Sequence, residues 1–195
     1  MRPFQRITGR VAVLDRTDVD TDQIIPKQFL KRIERTGYGE YLFYDWMKDP
    51  EFDLRRPAYA GAVVLIAGCN FGCGSSREHA AWALDDYGFR AVIAPSFGDI
   101  FRTNAVKTGL APIVLPGDEL GAVKRAVAER NELTVDLERQ QIEHPDGLNV
   151  HFEFDEFERR CLLQGLDDVD RALQREDAIA VYEAMHAARF DLARL

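Results

Sequence analysis

The residues best equipped for chemistry lie in GCNFGCGSSREHAAWALDDYG, Gly68 to Gly88. The stretch opens where an apolar run ends and closes on a helical period. Gly68, Gly72 and Gly74 permit backbone conformations that side chains disfavour, so the chain can turn sharply and a ligand can approach the main chain. The residues that follow sit at a predicted helix start. Unpaired backbone N–H groups and the positive end of the helix dipole attract anions there, and Arg77 adds a planar two-pronged donor suited to a carboxylate. Ser75 and Glu78 also satisfy the S-x-x-E capping pattern, which needs no function. Capping leaves a second serine, Ser76, the arginine and three glycines unexplained. A dinucleotide or phosphate loop fits less well, because Arg77 stands where G-x-G-x-x-G wants its third glycine and no lysine precedes the serines.

A second cluster is Asp18, Asp20 and Asp22 in TDVDTDQIIP. Alternate carboxylates suit a hard cation, but an EF-hand loop would need Gly and Glu where this chain has Gln23 and Phe29. An acidic solvated turn and a carboxylate that partners an active-site base or arginine are the two remaining readings. Cys69, Cys73 and Cys161 give too few thiolates, wrongly spaced, for an iron–sulfur cluster of their own, and the four histidines form no close pair. No metal site is expected in this chain. An odd number of cysteines fits free thiols in a reducing compartment.

These loops need a scaffold. Apolar runs at Ala62 to Ala67, Ala91 to Ala94 and Ile113 to Leu115 read as buried strands. Between them, Ser76 to Tyr87 and the face Phe97, Ile100, Phe101, Asn104, Ala105 and Thr108 read as helices, the second stopping at Gly109. With Val11 to Leu14 as an earlier strand, the pattern is α/β with a parallel βαβαβ core, which places binding loops at the carboxyl ends of its strands. Tyr38 to Trp46 is an aromatic-rich irregular stretch that packs on the domain's own core or on a partner. Beyond Pro116 come a helix at about Asp118 to Arg130 and short strands at Leu133 to Leu137, Gln141 to Glu143 and Asn149 to Phe152. Pro145-Asp146-Gly147 forms a turn between the last two, and a C-terminal helix carries Ala178, Val181, Tyr182 and Met185 on one face.

At 195 residues, 46% hydrophobic and 30% charged, the chain suits one globular domain, 1–195, with a C-terminal helical extension. A net charge of -8 with no basic run longer than two argues against nucleic acid. The first residues lack the apolar stretch of a secretion signal and no uncharged run could span a bilayer, so no membrane partner and a cytoplasmic location are expected.

Three segments in one order, DVDTDQIIP, GCGSSREHA and SFGDIFRTNAVKTGLAPI, resemble the swivelling domain of aconitase-type hydro-lyases. FLKRIERTGYG and CLLQGLDDVD are similar to the small-subunit branch, the isopropylmalate isomerases. The resemblance covers most of the chain, with Gly117 to Phe157 contributing least. It implies a compact β/β/α domain with flanking short strands that closes over a larger subunit. A [4Fe-4S] cluster in that partner grips the hydroxyl and one carboxylate of a small hydroxy-diacid substrate. The matching positions imply Ser75 as the base that removes and returns the carbon-bound proton, with Ser76 and Arg77 beside it binding substrate. Asp22 matches a catalytic-site residue near that serine, and an arginine of the next loop reaches a substrate carboxylate. Arg35 is the best match, with Lys31 and Arg32 as the other candidates. The chain departs from aconitase in placing Cys69 and Cys73 where acidic residues stand, and in reading DDVDRAL where a glycine should follow.

The implied reaction is interconversion of 2- and 3-isopropylmalate by dehydration and rehydration in leucine biosynthesis. Sister hydro-lyases acting on homoaconitate or 2-methylmalate share these motifs, and a noncatalytic nucleotide-binding module is the reading from another class. The loop from Phe29 to Gly39 separates the sisters, since a branched alkyl group wants an apolar wall and a third carboxylate wants a cation.

Overall fold

The computed structural model describes residues 1–31, 36–75 and 77–186. Residues 1–165 form one compact unit and residues 166–195 a second. The centre of the first is a parallel sheet in the order β2 (Val11–Leu14), β3 (Val64–Ala67), β4 (Ala91–Ala94) and β5 (Ala111–Val114). Its register pairs Val11 with Val64, Val64 with Ala91 and Ala91 with Ala111. β3 and β4 are buried along their whole length, which is why they read as continuous apolar runs.

Successive side chains point to opposite faces of the sheet, and each face has its own core. On one, Leu14, Leu65, Ala67, Val92 and Ala94 pack with α2 (Glu78–Tyr87), α3 (Asp99–Thr108) and the buried aromatics Tyr38, Phe43 and Phe71. The aromatic-rich stretch therefore packs on the chain's own core. On the other, Val11, Val64, Ile66, Ile93 and Ile113 pack with Leu120, Val123 and Val127 of α4 (Gly117–Glu129) and with a second sheet. That sheet is antiparallel, in the order β1 (Arg6–Gly9), β6 (Leu133–Asp136), β7 (Gln141–Glu143) and β8 (Asn149–His151). Two sheets and a helical layer give the β/β/α arrangement and the α/β class that the sequence led us to expect. α5 (Glu156–Gln164) is tied to α3 by a two-pronged ion pair, Arg102 to Glu158 at 3.0 and 2.6 Å.

Several elements depart from the sequence reading, α5 among them. β1 and the four-residue α1 (Thr21–Ile24) are additional, α1 being held by a capping box in which Asp20 accepts from Gln23 N at 2.7 Å. The acidic turn is thus partly a helix cap. α2 starts at Glu78, with Arg77 as an extended N-cap at φ -143°, ψ 109° and no side-chain cap. The S-x-x-E capping box at Ser75 does not form. The Thr21 hydroxyl donates to the Ser75 carbonyl at 3.0 Å, which draws Ser75 away from the helix start.

The second unit contains α6 (Asp168–Leu173), with an Asp167–Asp170 capping box, and α7 (Glu176–Met185). No helix among the described residues is long and apolar enough to cross a membrane.

Candidate active site

Of the candidate residues, Ser75, Arg77 and Asp22 meet at the carboxyl ends of β2, β3 and β4, where open parallel sheets bind ligands. Beyond the strands proper, three loops are laced together by backbone bonds. Asp18 N donates to Cys69 O at 2.9 Å, Gly72 N to Val19 O at 2.7 Å and Thr21 N to Cys73 O at 3.0 Å. Phe71 N donates to Ser96 O at 3.1 Å, and Gly98 N returns to Phe71 O at 2.9 Å. Isolated parallel bridges, Asp20 to Cys73 and Phe71 to Phe97, continue the sheet into the loops. Side chains add to the lacing, with Asn70 Nδ2 donating to Asp18 at 2.8 Å and Asn70 N to the Ser96 hydroxyl at 2.8 Å.

The glycines have a specific role here. Gly72 has φ +74°, and a Cβ on it would lie 2.2 Å from Cγ of Phe101, so only glycine lets the loop cross α3 this closely. Gly74, at φ +91°, turns the chain again just before Ser75. Ser75 is exposed, and its peptide is fixed from behind by Thr21, which is 2% exposed.

Arg77 and Asp22 form an ion pair between loops more than fifty residues apart, Nη1 to Oδ1. The Arg77 side chain is 15% exposed and that of Asp22 52%. The hydrogen bond from Arg77 holds the Asp22 carboxyl below the usual carboxylate range against an opposing effect of burial, with further help from Lys27. Nη1 is spent on Asp22, and a guanidinium has five N–H donors, so its other N–H groups can serve a second acceptor such as a ligand carboxylate. Burial and the charges of Asp20 and Asp18 push the Cys73 thiol up, which keeps it protonated near neutral pH. Cys69, Cys73 and Cys161 are all free, and no group of three His, Cys, Asp or Glu side chains suited to a metal ion occurs among the described residues. These donors do not fit an iron–sulfur cluster, which needs four cysteines or a close equivalent.

Ser75, Arg77 and Asp22 are therefore brought to one edge, and Lys31 is exposed at the end of a short 3-10 turn, Lys27–Lys31. Ser76, Arg32 and Arg35 lie outside the described residues. The described contacts of Asp22 are with Arg77 and Lys27. Sequence reasoning missed Thr21, Asn70 and Ser96, the residues that lock the loops. All three stood inside the quoted motifs, and the available signal was that Asn70 and Ser96 lie two or three residues past the ends of β3 and β4. Arg16 was missed as well: its guanidinium sits 4.4 Å over the Trp46 ring at the same edge, and nothing local in the sequence points to that contact.

Glu78 in the first turn of α2 and the consumption of the Gly72 amide by Val19 disfavour a polyphosphate at this loop. An exposed hydroxyl beside an oriented arginine on an open edge suits acid–base work on a carboxylate compound instead. Fold and site together define an aconitase-type swivel domain. Residues 1–118 match the aconitase C-terminal domain, and residues 125–156 match the family described as LeuD_N. A 3-isopropylmalate dehydratase small subunit of Acidobacterium capsulatum is 52% identical over 195 residues, covering 99% of this chain and 95% of the relative. One from Koribacter versatilis is 54% identical over 196 residues, covering 96% and 100%. The crystal structure of 3-isopropylmalate dehydratase (leuD) from Methanocaldococcus jannaschii superposes with a TM-score of 0.68 at 30% identity, covering 91% of this chain and 99% of that one. The chain belongs to the family of 3-isopropylmalate dehydratase small subunits.

Proposed function

We propose that this chain is the small subunit of isopropylmalate isomerase, a hydro-lyase that interconverts 2- and 3-isopropylmalate by dehydration and rehydration in leucine biosynthesis in the cytosol. It acts when docked on a large subunit that holds the [4Fe-4S] cluster. Residues 1–165 supply the reacting edge and residues 166–195 are the helical extension of this one catalytic domain.

In this reading the Ser75 oxygen takes the carbon-bound proton and returns it when water adds back. A serine hydroxyl is too weak an acid to act alone and needs fixed positive charge and backbone donors. The Arg77 guanidinium and the positive end of the α2 dipole provide them. Arg77 also holds one substrate carboxylate, Asp22 keeps the guanidinium aimed, Ser76 binds beside it, and one cation among Lys31, Arg32 and Arg35 takes the second carboxylate. The observation that carries the reading is the Asp22–Arg77 pair, which aims a largely buried cation next to an exposed serine. The open edge also supports dependence on a partner, because Ser75 is exposed among the described residues.

The test is reconstitution with a cluster-loaded large subunit. Turnover of 2-isopropylmalate should appear on mixing, depend on the subunit ratio, and exceed that of homoaconitate and 2-methylmalate. Full activity of the isolated chain, or preference for a sister substrate, would refute the assignment.

A further inference from the structure

The loops that follow β2 and β3 each turn at a residue with a left-handed backbone, Asp18 at φ +53° and Asn70 at φ +57°. Most side chains disfavour this conformation, and Asp and Asn are among the few that tolerate it. The two turns face each other, because Asn70 Nδ2 donates to Asp18 Oδ1 at 2.8 Å. The main-chain N–H of Asn70 donates to the Ser96 hydroxyl, also at 2.8 Å. One residue is thus tied on one side to the β2 loop and on the other to the β4 loop.

From this point the β2 and β3 loops run side by side toward Ser75. Gly72 N donates to Val19 O, Thr21 N donates to Cys73 O, and the Thr21 hydroxyl ends the series on Ser75 O. Val19 and Phe71 are buried, at 1% and 0% exposure, and their packing excludes a slip of the loops by a whole residue. Within that register the Asn70–Asp18 bond trims the smaller offset that remains. Any such offset reaches Ser75 through Thr21, three residues beyond Asp18. Arg77 is the N-cap of α2, a separate rigid element, so the carboxylate grip follows the helix rather than the loops. Proton transfer is the step most sensitive to small displacements, since a misplacement of about 1 Å can cost about a hundredfold in rate.

We propose that Asn70 is a positioning residue for the proton transfer, which sets the offset between the β2 and β3 loops through Asp18 and Ser96 and so places the Ser75 hydroxyl. This rests on the functional reading above, in which Ser75 is the base.

The test uses the reconstituted two-subunit enzyme on 2-isopropylmalate with three variants. Asn70→Gly keeps the left-handed turn and removes the amide, and Asn70→Asp keeps the size and sets a carboxylate against Asp18. The double variant Asp18→Asn/Asn70→Asp restores one donor facing one carboxylate, with the ends exchanged and the net charge unchanged. Both single variants should lose roughly tenfold or more in kcat with KM within about threefold, and the double variant should return kcat to within about threefold of wild type. The bond is solvent-exposed, so Tm of Asn70→Gly should stay within about 3 °C of wild type. Hydrogen exchange on the isolated full chain gives a readout independent of activity. Amides in residues 17–22 and 69–75 should exchange faster in both single variants and at the wild-type rate in the double variant. Unchanged kcat in both single variants, a raised KM at constant kcat, or no recovery in the double variant overturns the proposal. If one single variant does not assemble, the other and the double variant decide. An inactive wild-type complex refutes the functional reading instead, and exchange then decides alone: unchanged rates in the single variants show that Asn70 does not set the loops.

Discussion

Replacing Asp22 with Asn removes one charge and keeps the shape, so it isolates what the carboxylate does for Arg77. The pair straddles the surface, with Arg77 largely covered and Asp22 half exposed, so its worth to the fold is that of a partly solvated ion pair, about 0.5–1 kcal/mol. For a chain of this size that corresponds to a loss of roughly 1–4 °C in Tm. The same energy, taken as the cost of re-aiming the guanidinium, raises KM by about two- to fivefold, with kcat nearly unchanged because Thr21 still holds Ser75. The effect depends on pH in a set direction. The folded carboxyl titrates below 3.8, so its contribution is fully present above that value and is lost as pH falls through the folded pKa. Wild type and Asp22→Asn should converge in stability at acid pH and diverge toward neutrality. Scanning calorimetry at several pH values and steady-state kinetics of the reconstituted complex measure both. A kcat reduced a hundredfold or more at constant KM would show that Asp22 takes part in proton transfer directly, and the orienting role would be wrong.

Arg77→Lys keeps the charge and loses the paired donors, so KM should rise about tenfold with a smaller loss of kcat, measured in the same assay. Gly72→Ala combines a left-handed backbone with a collision against Phe101, for about 3 kcal/mol and a Tm lower by roughly 6–12 °C, read by calorimetry. His79 titrates below 6.5 in the folded chain, so the stability tied to its neutral ring is present above 6.5 and lost as pH falls through the lower folded value. His79→Phe should lack that acid-side component in a stability–pH profile, and an unchanged profile would contradict it.

The core was legible because β3 and β4 are buried on both faces and so read as short continuous apolar runs, closed by Gly68 and Pro95. β1 escaped because Arg6–Gly9 is half exposed and carries no apolar run. α5 was missed although Asp155, capping Glu158 N at 2.9 Å, offers a readable start signal. The site was legible as a set of motifs and illegible as a geometry. Ser75 and Glu78 look like a capping box in isolation, but α2 starts at Glu78 and the Ser75 carbonyl is engaged by the distant Thr21 hydroxyl. Likewise the partner of Arg77 depends on the Asp20–Cys73 bridge, which aligns two loops that no local pattern relates.

The role of Ser75 is the centre of the account, and Ser75→Ala in the reconstituted complex tests it most directly. The hydroxyl makes no helix cap, so the fold, measured by circular dichroism, and the affinity for the large subunit should match wild type. With the base gone, kcat for 2-isopropylmalate should fall by roughly a thousandfold or more. Near-normal turnover in a folded, assembled Ser75→Ala complex would contradict the mechanism.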